Sequence, residues 1–493
     1  MKKGNRSQYL SKSLFIRGLQ CHKSLYLEKY HPELKPPISE QQEALFASGH
    51  EVGKLAQQLF PGGVEIPYDG KTHAEQLSMT RDEISGGTQD LYEAAFSYDG
   101  IFVKLDILHR GRRGWEIYEV KSATEVKDVY LHDAAVQYYV VTGLGLTISK
   151  VYIVHINNEY VRQGDIEPEK LFTIVDLTAS VREDQALVTE EIKRQKKMLE
   201  GAMPAIDIGE HCGNPYECDF KEHCWEHIPE YSVFDLRGKG AKAFDLYRNG
   251  IIRFQDIPLD ILTPSQRMQV ESYLNKKDYI DPDGVRTFLK PLSYPLYFLD
   301  FETLSSPIPL WDGIRPWQQV PFQYSLHILE KERGKLRHLE YLASPNADPR
   351  RELVETLLDA IPSGACVVHY TAFEKTRLSD LAGWFPEHRK RIERIMGNMV
   401  DLASPFKSRD CYLWQMNGSY SIKAVLPALV PELSYDDMSI SDGGMASQAY
   451  FNMCNATDRK EIEEIRKALL DYCGLDTLAM VKVVERLRNF CGN

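Results

Sequence analysis

The sequence predicts an α/β protein in which two α/β regions are separated by a helical segment. Strand-like runs near residues 101–122 lie between stretches with helical patterning. Toward the C-terminus, runs such as "ACVVHY" alternate with helical ones such as "DRKEIEEIRKALLDYCGLDTLAMVKVVERLR", a pattern typical of layered α/β folds. The stretch between them is polar and mostly helical. We therefore expect domains at 1–228 and 291–493 and a helical connecting module at 229–290.

Composition excludes several classes of protein. The 493 residues are 43% hydrophobic, enough for two or three separate cores. Apolar runs end far short of the ~20 residues that cross a bilayer, and the first residues lack the apolar stretch of a secretory signal. We expect a cytoplasmic protein with no membrane partner. The net charge of -12 argues against a uniformly basic nucleic-acid binder, but metal-holding carboxylates also add negative charge.

The first candidate site lies in "GIFVKLDILHRGRRGWEIYEVKSATEVKDVYLHDAAVQYYVV", which predicts a β-hairpin followed by a helix. Glu119 and Lys121 are two positions apart on the second strand and share a face. Because adjacent strands lie about 4.8 Å apart, Asp106 can approach Glu119. Two carboxylates beside a lysine suit magnesium-assisted hydrolysis of a phosphodiester. A surface salt bridge across the hairpin is the simpler alternative for this pattern taken alone.

Four cysteines form a second candidate group. Cys212, Cys218 and Cys224 have the spacing C-x5-C-x5-C, and Cys21 lies far upstream. In a reducing compartment such cysteines are better explained as metal ligands than as disulfides. Four thiolates suit either a tetrahedral zinc ion or a 4Fe-4S cluster. The remaining cysteines are scattered and predicted to be ordinary: Cys366, Cys411, Cys454, Cys473 and Cys491.

A third candidate group begins in "LYFLDFET", where Asp300 and Glu302 lie two positions apart in an otherwise apolar strand. Isolated buried carboxylates cost several kcal/mol unless they are paired or hold a metal. Their alternation places both on one face of the strand. A divalent cation is therefore predicted, with an edge strand facing water or a lysine as the alternative.

Further acidic residues follow later in the chain. "CVVHYTAFEKTRL" predicts a strand that runs into a helix, with Glu374 exposed at its edge. In "DYCGLDTLAM", Tyr472 and Asp476 are four apart on a helical stretch and share one face. A core aromatic is the alternative for Tyr472. Asp401 in "MVDLASPF" is a weaker candidate.

The motifs "KLDIL", "YEVKSAT" and "AAVQYYV" resemble, in order and spacing, the RecB/AddB branch of the PD-(D/E)XK nucleases. This resemblance implies a restriction-endonuclease-like fold for residues 1–228. It also implies that Asp106 and Glu119 hold a metal ion and that Lys121 acts in catalysis.

The split arrangement of the four cysteines resembles the iron-sulfur staple of AddB and of the CRISPR spacer-acquisition nucleases. It implies a 4Fe-4S cluster, with zinc left open and His211 and His223 as alternative ligands. The first spacing is longer than the usual C-x2-C, and Gly53 stands where those families carry a ligand histidine. His50 is predicted to be a surface residue.

The order D-x-E, an acidic residue after a strand, and Y-x-x-x-D resembles the tyrosine-bearing DEDD (DEDDy) exonucleases of the RNase H-like fold. The resemblance implies that two Mg²⁺ or Mn²⁺ ions are held by four carboxylates, those of Asp300, Glu302, Glu374 and Asp476. Tyr472 would orient the attacking water. Glu374 stands where the family normally has aspartate. "GSYSIKAVLPAL" resembles the loop and helix that shape the substrate channel.

The whole arrangement resembles a bacterial family that joins a RecB-like nuclease to an RNase H-like exonuclease. The implied function is metal-dependent DNA cleavage at two sites, in DNA repair or defence against foreign DNA, with RNA left open as a substrate. One alternative is a nucleic-acid-binding clamp or subunit in which one or both sites are inactive. Another is a zinc-stapled hydrolase of a different substrate.

Overall fold

A computed structural model describes residues 9–435 and 438–491, and the chain divides into two compact units. The first contains the described residues up to His227 together with Ser306–Trp317, and the second contains Ile228–Ser305 and the rest of the chain from Gln318. The predicted connecting segment therefore clusters with the second unit. Each unit contains sheets and helices, which confirms the mixed α/β class.

The first unit is built on a seven-stranded sheet within the described residues. Its strands are β1 (Leu10–Ser11), β2 (Val64–Glu65), β3 (Asp90–Tyr98), β4 (Ile101–Gly111), β5 (Gly114–Lys121), β6 (Ile148–Ile156) and β7 (Phe172–Asp176). Its helices are α1 (Lys12–Gln20), α2 (His22–Tyr30), α3 (Glu40–Ala56), α4 (His73–Gly86), α5 (Asp128–Gly143), α6 (Pro168–Leu171), α7 (Thr178–Glu183), α8 (Gln185–Leu199) and α9 (Lys221–Cys224).

The strand order of this sheet is β2-β3-β4-β5-β6-β7, with β1 paired alongside β4. Strands β3, β4 and β5 form an antiparallel meander, and β6 runs parallel to β5. Helix α5 is the crossover between β5 and β6, and its Ala134 and Val136 share a buried core with Leu105 and Ile117. The predicted hairpin and following helix are therefore present, and they bring α5 against the strands that carry Asp106 and Glu119.

The second unit contains a five-stranded sheet and a two-stranded ladder. Its strands are β8 (Tyr279–Ile280), β9 (Leu296–Leu304), β10 (Val320–Leu329), β11 (Leu336–Leu342), β12 (Cys366–His369), β13 (Met399–Asp401) and β14 (Cys411–Tyr412). Its helices are α10 (Ala243–Arg248), α11 (Pro264–Asn275), α12 (Pro282–Leu289), α13 (Arg350–Ala360), α14 (Phe373–Trp384), α15 (Arg389–Gly397), α16 (Ser404–Lys407), α17 (Ile422–Leu429), α18 (Gly443–Asn455) and α19 (Arg459–Asn489).

The larger sheet has the order β11-β10-β9-β12-β13. Strand β10 is antiparallel to both of its neighbours, β11 and β9, whereas β9, β12 and β13 are parallel. One face packs on α13 to α15, where Leu299 contacts a core containing Leu353 and Leu378. The other face packs on α18 and α19: Phe322 stacks on Tyr450 with ring centroids 4.0 Å apart. Because the carboxyl ends of parallel strands share one edge of a sheet, residues that follow β9 and β12 meet there.

No helix in the described part of the chain is both long enough and apolar enough to cross a bilayer.

Candidate functional site

The carboxyl ends of β9 and β12 border a cavity of about 520 Å³ in the second unit, here called the acidic cavity. Asp300 and Glu302 reach it from β9 because they alternate onto one face of the strand. Glu374 enters from the first turn of α14, directly after β12. Tyr472 and Asp476 reach it from one face of α19. The structure therefore brings these five predicted residues together from three separate elements.

Glu374 is buried, and the prediction that it is exposed was wrong, since only 2% of its surface is accessible. The start of α14 turns its side chain inward, where it shares a hydrogen bond with Asp300. Its Oε2 has no hydrogen-bond donor. The nearest charged candidate is His369 Nδ1 at 3.5 Å, but burial lowers the pKa of His369, so its ring is neutral. A buried carboxylate oxygen without a donor is costly, and a cation would satisfy it.

The four carboxylates cannot all be ionised at neutral pH without a counter-charge. Burial raises the pKa of Glu374 to about 8 and that of Asp476 to about 6. Burial and the neighbouring carboxylates raise the pKa of Asp300 and of Glu302 well above the usual range. Like charges in a buried site disfavour one another's ionised form. The donor set of buried carboxylate oxygens therefore fits divalent cations.

Two residues that were not predicted as site residues interact with the carboxylates of this cavity. Tyr435 donates a hydrogen bond of 2.6 Å to Asp476 Oδ1, and a hydrogen bond from Tyr472 reaches the same carboxyl. Lys423 of α17 lines the cavity, and its positive charge partly opposes the rise that burial causes in the pKa of Glu302 and of Asp476. Lys423 lies within the predicted channel segment, but no local pattern distinguishes Tyr435.

Cys473 was predicted to be an ordinary cysteine, yet its thiol lies against the carboxylates. Its Sγ is 3.5 Å from Asp300 Oδ2, and ligand atoms of Asp300, Glu302 and Cys473 all lie within 4.8 Å of one another. Burial and the nearby carboxylates raise the pKa of Cys473 well above its usual value. Without a cation the sulfur therefore keeps its proton, and the S–H group donates a hydrogen bond to Asp300. The available signal was its position on the helix face that carries Asp476.

Asp401 ends β13, but its oxygens are already bonded within the protein. Oδ1 accepts hydrogen bonds of 2.9 Å from the backbone amides of Thr371 and Ala403. Lys407 Nζ lies 2.8 Å from Oδ2. Asp401 does not line the acidic cavity, and these contacts instead fix the turns that follow β12 and β13.

Asp106, Glu119 and Lys121 form a second group in the first unit, here called the hairpin site. The register of β4 and β5 pairs Ile107 with Tyr118, which places Asp106 opposite Glu119 where the ladder ends. Asp106 Oδ2 accepts a hydrogen bond of 2.6 Å from the backbone amide of Val120. Lys121 Nζ is 2.8 Å from Glu119 Oε1. The predicted trio therefore lies together.

Other side chains already bond to both oxygens of the Glu119 carboxylate. Lys12 Nζ, at the start of α1, lies 2.5 Å from Oε1, and Gln137 Nε2 of α5 lies 2.5 Å from Oε2. Burial favours a raised pKa for Glu119, but Lys12 and Lys121 outweigh it and hold the pKa well below its usual value. Burial and the charge of Glu119 raise the pKa of Asp106. Lys12 was not predicted, since 107 residues separate it from Glu119.

Lys121 also contacts α5, where its Nζ lies 2.6 Å from Asp133 Oδ2. Burial would lower the pKa of Lys121, but Glu119 and Asp133 raise it well above the usual value. The ammonium group therefore stays charged at the end of β5.

The four predicted cysteines, Cys21, Cys212, Cys218 and Cys224, line one small cavity together with His211. His223 does not line it, and His50 is exposed on α3.

Hydrogen bonds join the two distant parts of this cysteine cluster. Gln20 Nε2 donates to His211 O at 2.7 Å, and Cys218 Sγ lies 3.4 Å from Ser24 Oγ. Burial raises the pKa of Cys21 and of Cys224. These hydrogen bonds connect the residues at the junction of α1 and α2 to the segment that precedes α9.

Comparison with known proteins finds a family match within the second unit. Residues 297–421 match a family described as a domain of unknown function, DUF2779. The matched segment, about a quarter of the 493 residues, contains Asp300, Glu302 and Glu374 but ends before Tyr472 and Asp476.

Two mycoplasma proteins are similar to about half of the chain. The "Uncharacterized protein MG366 homolog" of Mycoplasma pneumoniae is 28% identical over 244 residues, which cover 45% of this chain and 37% of that protein. The "Uncharacterized protein MG366" of Mycoplasma genitalium is 25% identical over 234 residues, which cover 44% and 35%. The aligned part of the chain thus spans little more than a third of the length of these relatives.

Proposed function

We propose that the chain is a metal-dependent nuclease that hydrolyses phosphodiester bonds at the acidic cavity and at the hairpin site. One observation carries the proposal: four carboxylates, three of them buried and that of Asp300 partly buried, converge from β9, α14 and α19 on one cavity and need positive charge. The mixed sheet with the D-x-E pair on its central strand supports an RNase H-like second unit. The meander, crossover helix and parallel strand of the first unit support a PD-(D/E)XK domain.

At the acidic cavity, bound Mg²⁺ or Mn²⁺ would activate a water and stabilise the leaving oxygen. Asp300, Glu302, Glu374 and Asp476 supply the oxygen ligands. Tyr472, hydrogen-bonded to Asp476, presents its hydroxyl to orient the attacking water. Tyr435 also donates a hydrogen bond to the Asp476 carboxyl, and Lys423 offers a positive charge to a phosphate. This is a 3'-5' exonuclease-like arrangement.

At the hairpin site, Asp106 and Glu119 would hold one divalent cation. The charged Lys121 is placed to stabilise the pentavalent phosphorus. In the structure, the ammonium of Lys12 stands where a cation would neutralise Glu119. Metal binding therefore requires that Lys12 move away.

Because protein side chains already bond to both oxygens of Glu119, a second candidate function is favoured. In it the chain is a nucleic-acid clamp whose hairpin site binds nucleic acid but does not cleave it. Lys12, Lys121 and Gln137 together contact both oxygens of Glu119. In that case cleavage would depend on the acidic cavity alone.

We assign a 4Fe-4S cluster to the cysteine cluster, with zinc as the alternative. The split arrangement of the four cysteines, which resembles the iron-sulfur staple of AddB, supports the cluster, and the four side chains line one small cavity. A 4Fe-4S cluster would give a brown protein with broad absorption near 400 nm through its charge-transfer bands.

The substrate proposed is DNA, with RNA as the alternative, in DNA repair or defence against foreign DNA. The test incubates full-length protein with end-labelled single- and double-stranded DNA and with RNA, in Mg²⁺, Mn²⁺ or chelator. If Asp300→Asn loses one metal-dependent cleavage activity and retains another, the result supports the acidic cavity as one of two nuclease sites. Binding without cleavage under either metal would support the clamp instead.

A further inference from the structure

The acidic cavity contains one potential ligand that is not oxygen. Cys473 Sγ lies 3.5 Å from Asp300 Oδ2, and both lie within 4.8 Å of a Glu302 oxygen. Two ligand atoms bound tetrahedrally at about 2.0 to 2.3 Å from one cation are about 3.5 Å apart. The three side chains therefore have the spacing of ligands to a single ion.

A second observation, independent of the cysteine, also points to a cation. Glu374 Oε2 has no hydrogen-bond donor, its side chain is almost completely buried, and it lines the same cavity. An unpartnered carboxylate oxygen beside three clustered donor groups is explained if an ion binds among them.

We propose that the acidic cavity takes a thiophilic divalent cation, of the zinc or ferrous class, with the Cys473 thiolate as a ligand beside Asp300 and Glu302. The inference rests on the nuclease function proposed above and specifies the metal class of one of its two cation positions. Thiolate ligands select zinc and iron, whereas Mg²⁺ prefers oxygen ligands and retained waters. As the sulfur-metal bond forms, the S–H bond breaks and its proton passes to solvent.

A positioning role is the competing explanation, in which the thiol only donates a hydrogen bond that orients Asp300. Serine separates the two roles, because its hydroxyl keeps a donor while removing the sulfur. Cys473→Ser should therefore preserve the cavity if the thiol only positions Asp300, and should change its metal preference if the thiol is a ligand.

The experiment titrates full-length protein with Cd²⁺ and Mg²⁺ by calorimetry, comparing wild type with Cys473→Ser. The matched control is Cys454→Ser, on α18 and outside the cavity lining. All three proteins keep the cysteine cluster, so its contribution is common. We expect Cys473→Ser to lower the Cd²⁺ affinity at least about tenfold and to leave the Mg²⁺ affinity within about twofold. Equal Cd²⁺ affinity in the two proteins would overturn the inference.

A second measurement uses only the wild type, so it does not depend on whether the Cys473→Ser variant folds. Cadmium-113 NMR should show a resonance from mixed oxygen and sulfur ligands, separate from any all-sulfur resonance of the cysteine cluster. Its absence at saturating Cd²⁺ would count against Cys473 as a ligand.

An Asp300→Asn variant separates failure of this inference from failure of the proposed function. If Asp300→Asn loses Mg²⁺ binding and cleavage while Cys473→Ser binds Cd²⁺ as tightly as the wild type, only the inference about Cys473 fails. If Asp300→Asn leaves the binding of both cations unchanged, the cavity is not a metal site and both proposals fail.

Discussion

The hydroxyl of Tyr435 donates a hydrogen bond of 2.6 Å to Oδ1 of Asp476, across 41 residues of sequence. Tyr472 bonds to the same carboxyl from one helical turn earlier. Asp476 is thus oriented by two phenols while it faces a cavity shared with Asp300 and Glu302. Its geometry therefore depends on a residue outside the acidic motif itself.

We predict that Tyr435→Phe lowers cleavage at the acidic cavity about tenfold, since a hydrogen bond to a charged group contributes about 1.5–3 kcal/mol. The pKa of Asp476 should rise, because this bond lowers it, and more metal should be needed for half-maximal rate. Rates measured across a metal titration test this. Tyr279→Phe, at an exposed tyrosine, is the control. An unchanged rate and metal requirement would show that Tyr435 has no positioning role.

Asp300→Asn should raise the melting temperature of the chelated protein, although it abolishes cleavage at the cavity. Burial and the neighbouring carboxylates raise the pKa of Asp300, so keeping this carboxyl in the folded protein costs stability at neutral pH, a cost that the neutral amide of asparagine avoids. The same change should remove most of the stabilisation that Mn²⁺ gives to the wild type, because ligand binding stabilises only the state that binds it. Calorimetry with and without Mn²⁺ measures both effects. A chelated variant less stable than wild type would contradict the electrostatic account.

The chelated protein should become less stable as pH rises from about 4, the usual carboxyl pKa, to about 8, the pKa of Glu374. A carboxyl with a raised folded pKa holds its proton more tightly in the folded state. In that window the folded state therefore binds more protons than the unfolded state, and stability falls with pH. Melting temperatures at fixed salt test this. Glu374→Gln should have a shallower pH slope, and identical slopes would argue against this source of the effect.

Lys121→Ala and Asp300→Ala should each abolish a different nuclease activity and leave the fold intact. The first removes the charged ammonium of the hairpin site, and the second removes a ligand of the acidic cavity. Digestion products from single- and double-stranded DNA, compared by gel, distinguish the activities. Lys170→Ala, at an exposed lysine, is the control. If either single variant removed all cleavage, the two-site proposal would be wrong.

Cys218→Ser should lower solubility or thermal stability. Cys218 lies in the cysteine cluster with Cys21, and a shared metal group closes a very long loop whose loss releases chain entropy. Thermal melting of anaerobically purified protein, with iron, sulfide and zinc analysis, gives the readout. Cys454→Ser controls for loss of a cysteine as such. A Cys218→Ser protein as stable as wild type would contradict the staple.

Local periodicity predicted which acidic residues share a face, whereas their meeting at one site was implied by the resemblance to the DEDDy exonucleases. Asp300 and Glu302 are two apart on a strand, and Tyr472 and Asp476 are four apart on a helix, so each pair had to share a face. The hairpin of β4 and β5 followed from alternation in the same way. The prediction that Glu374 is exposed was wrong because its burial depends on how α14 packs after β12. No local sequence pattern indicates that packing.

Which residues meet across long stretches of chain was decided only when the elements packed. The thiol of Cys473 on α19 reaches Asp300 and Lys12 on α1 reaches Glu119 because these helices pack on the sheets of their units. Tyr435 reaches Asp476 from the segment between α17 and α18. The identity and spacing of neighbouring residues determine whether a segment is a helix or a strand and which of its side chains share a face. Both are local properties. Burial, the shift of a pKa and the pairing of distant charges depend on the surrounding protein, and these arise only from the tertiary fold.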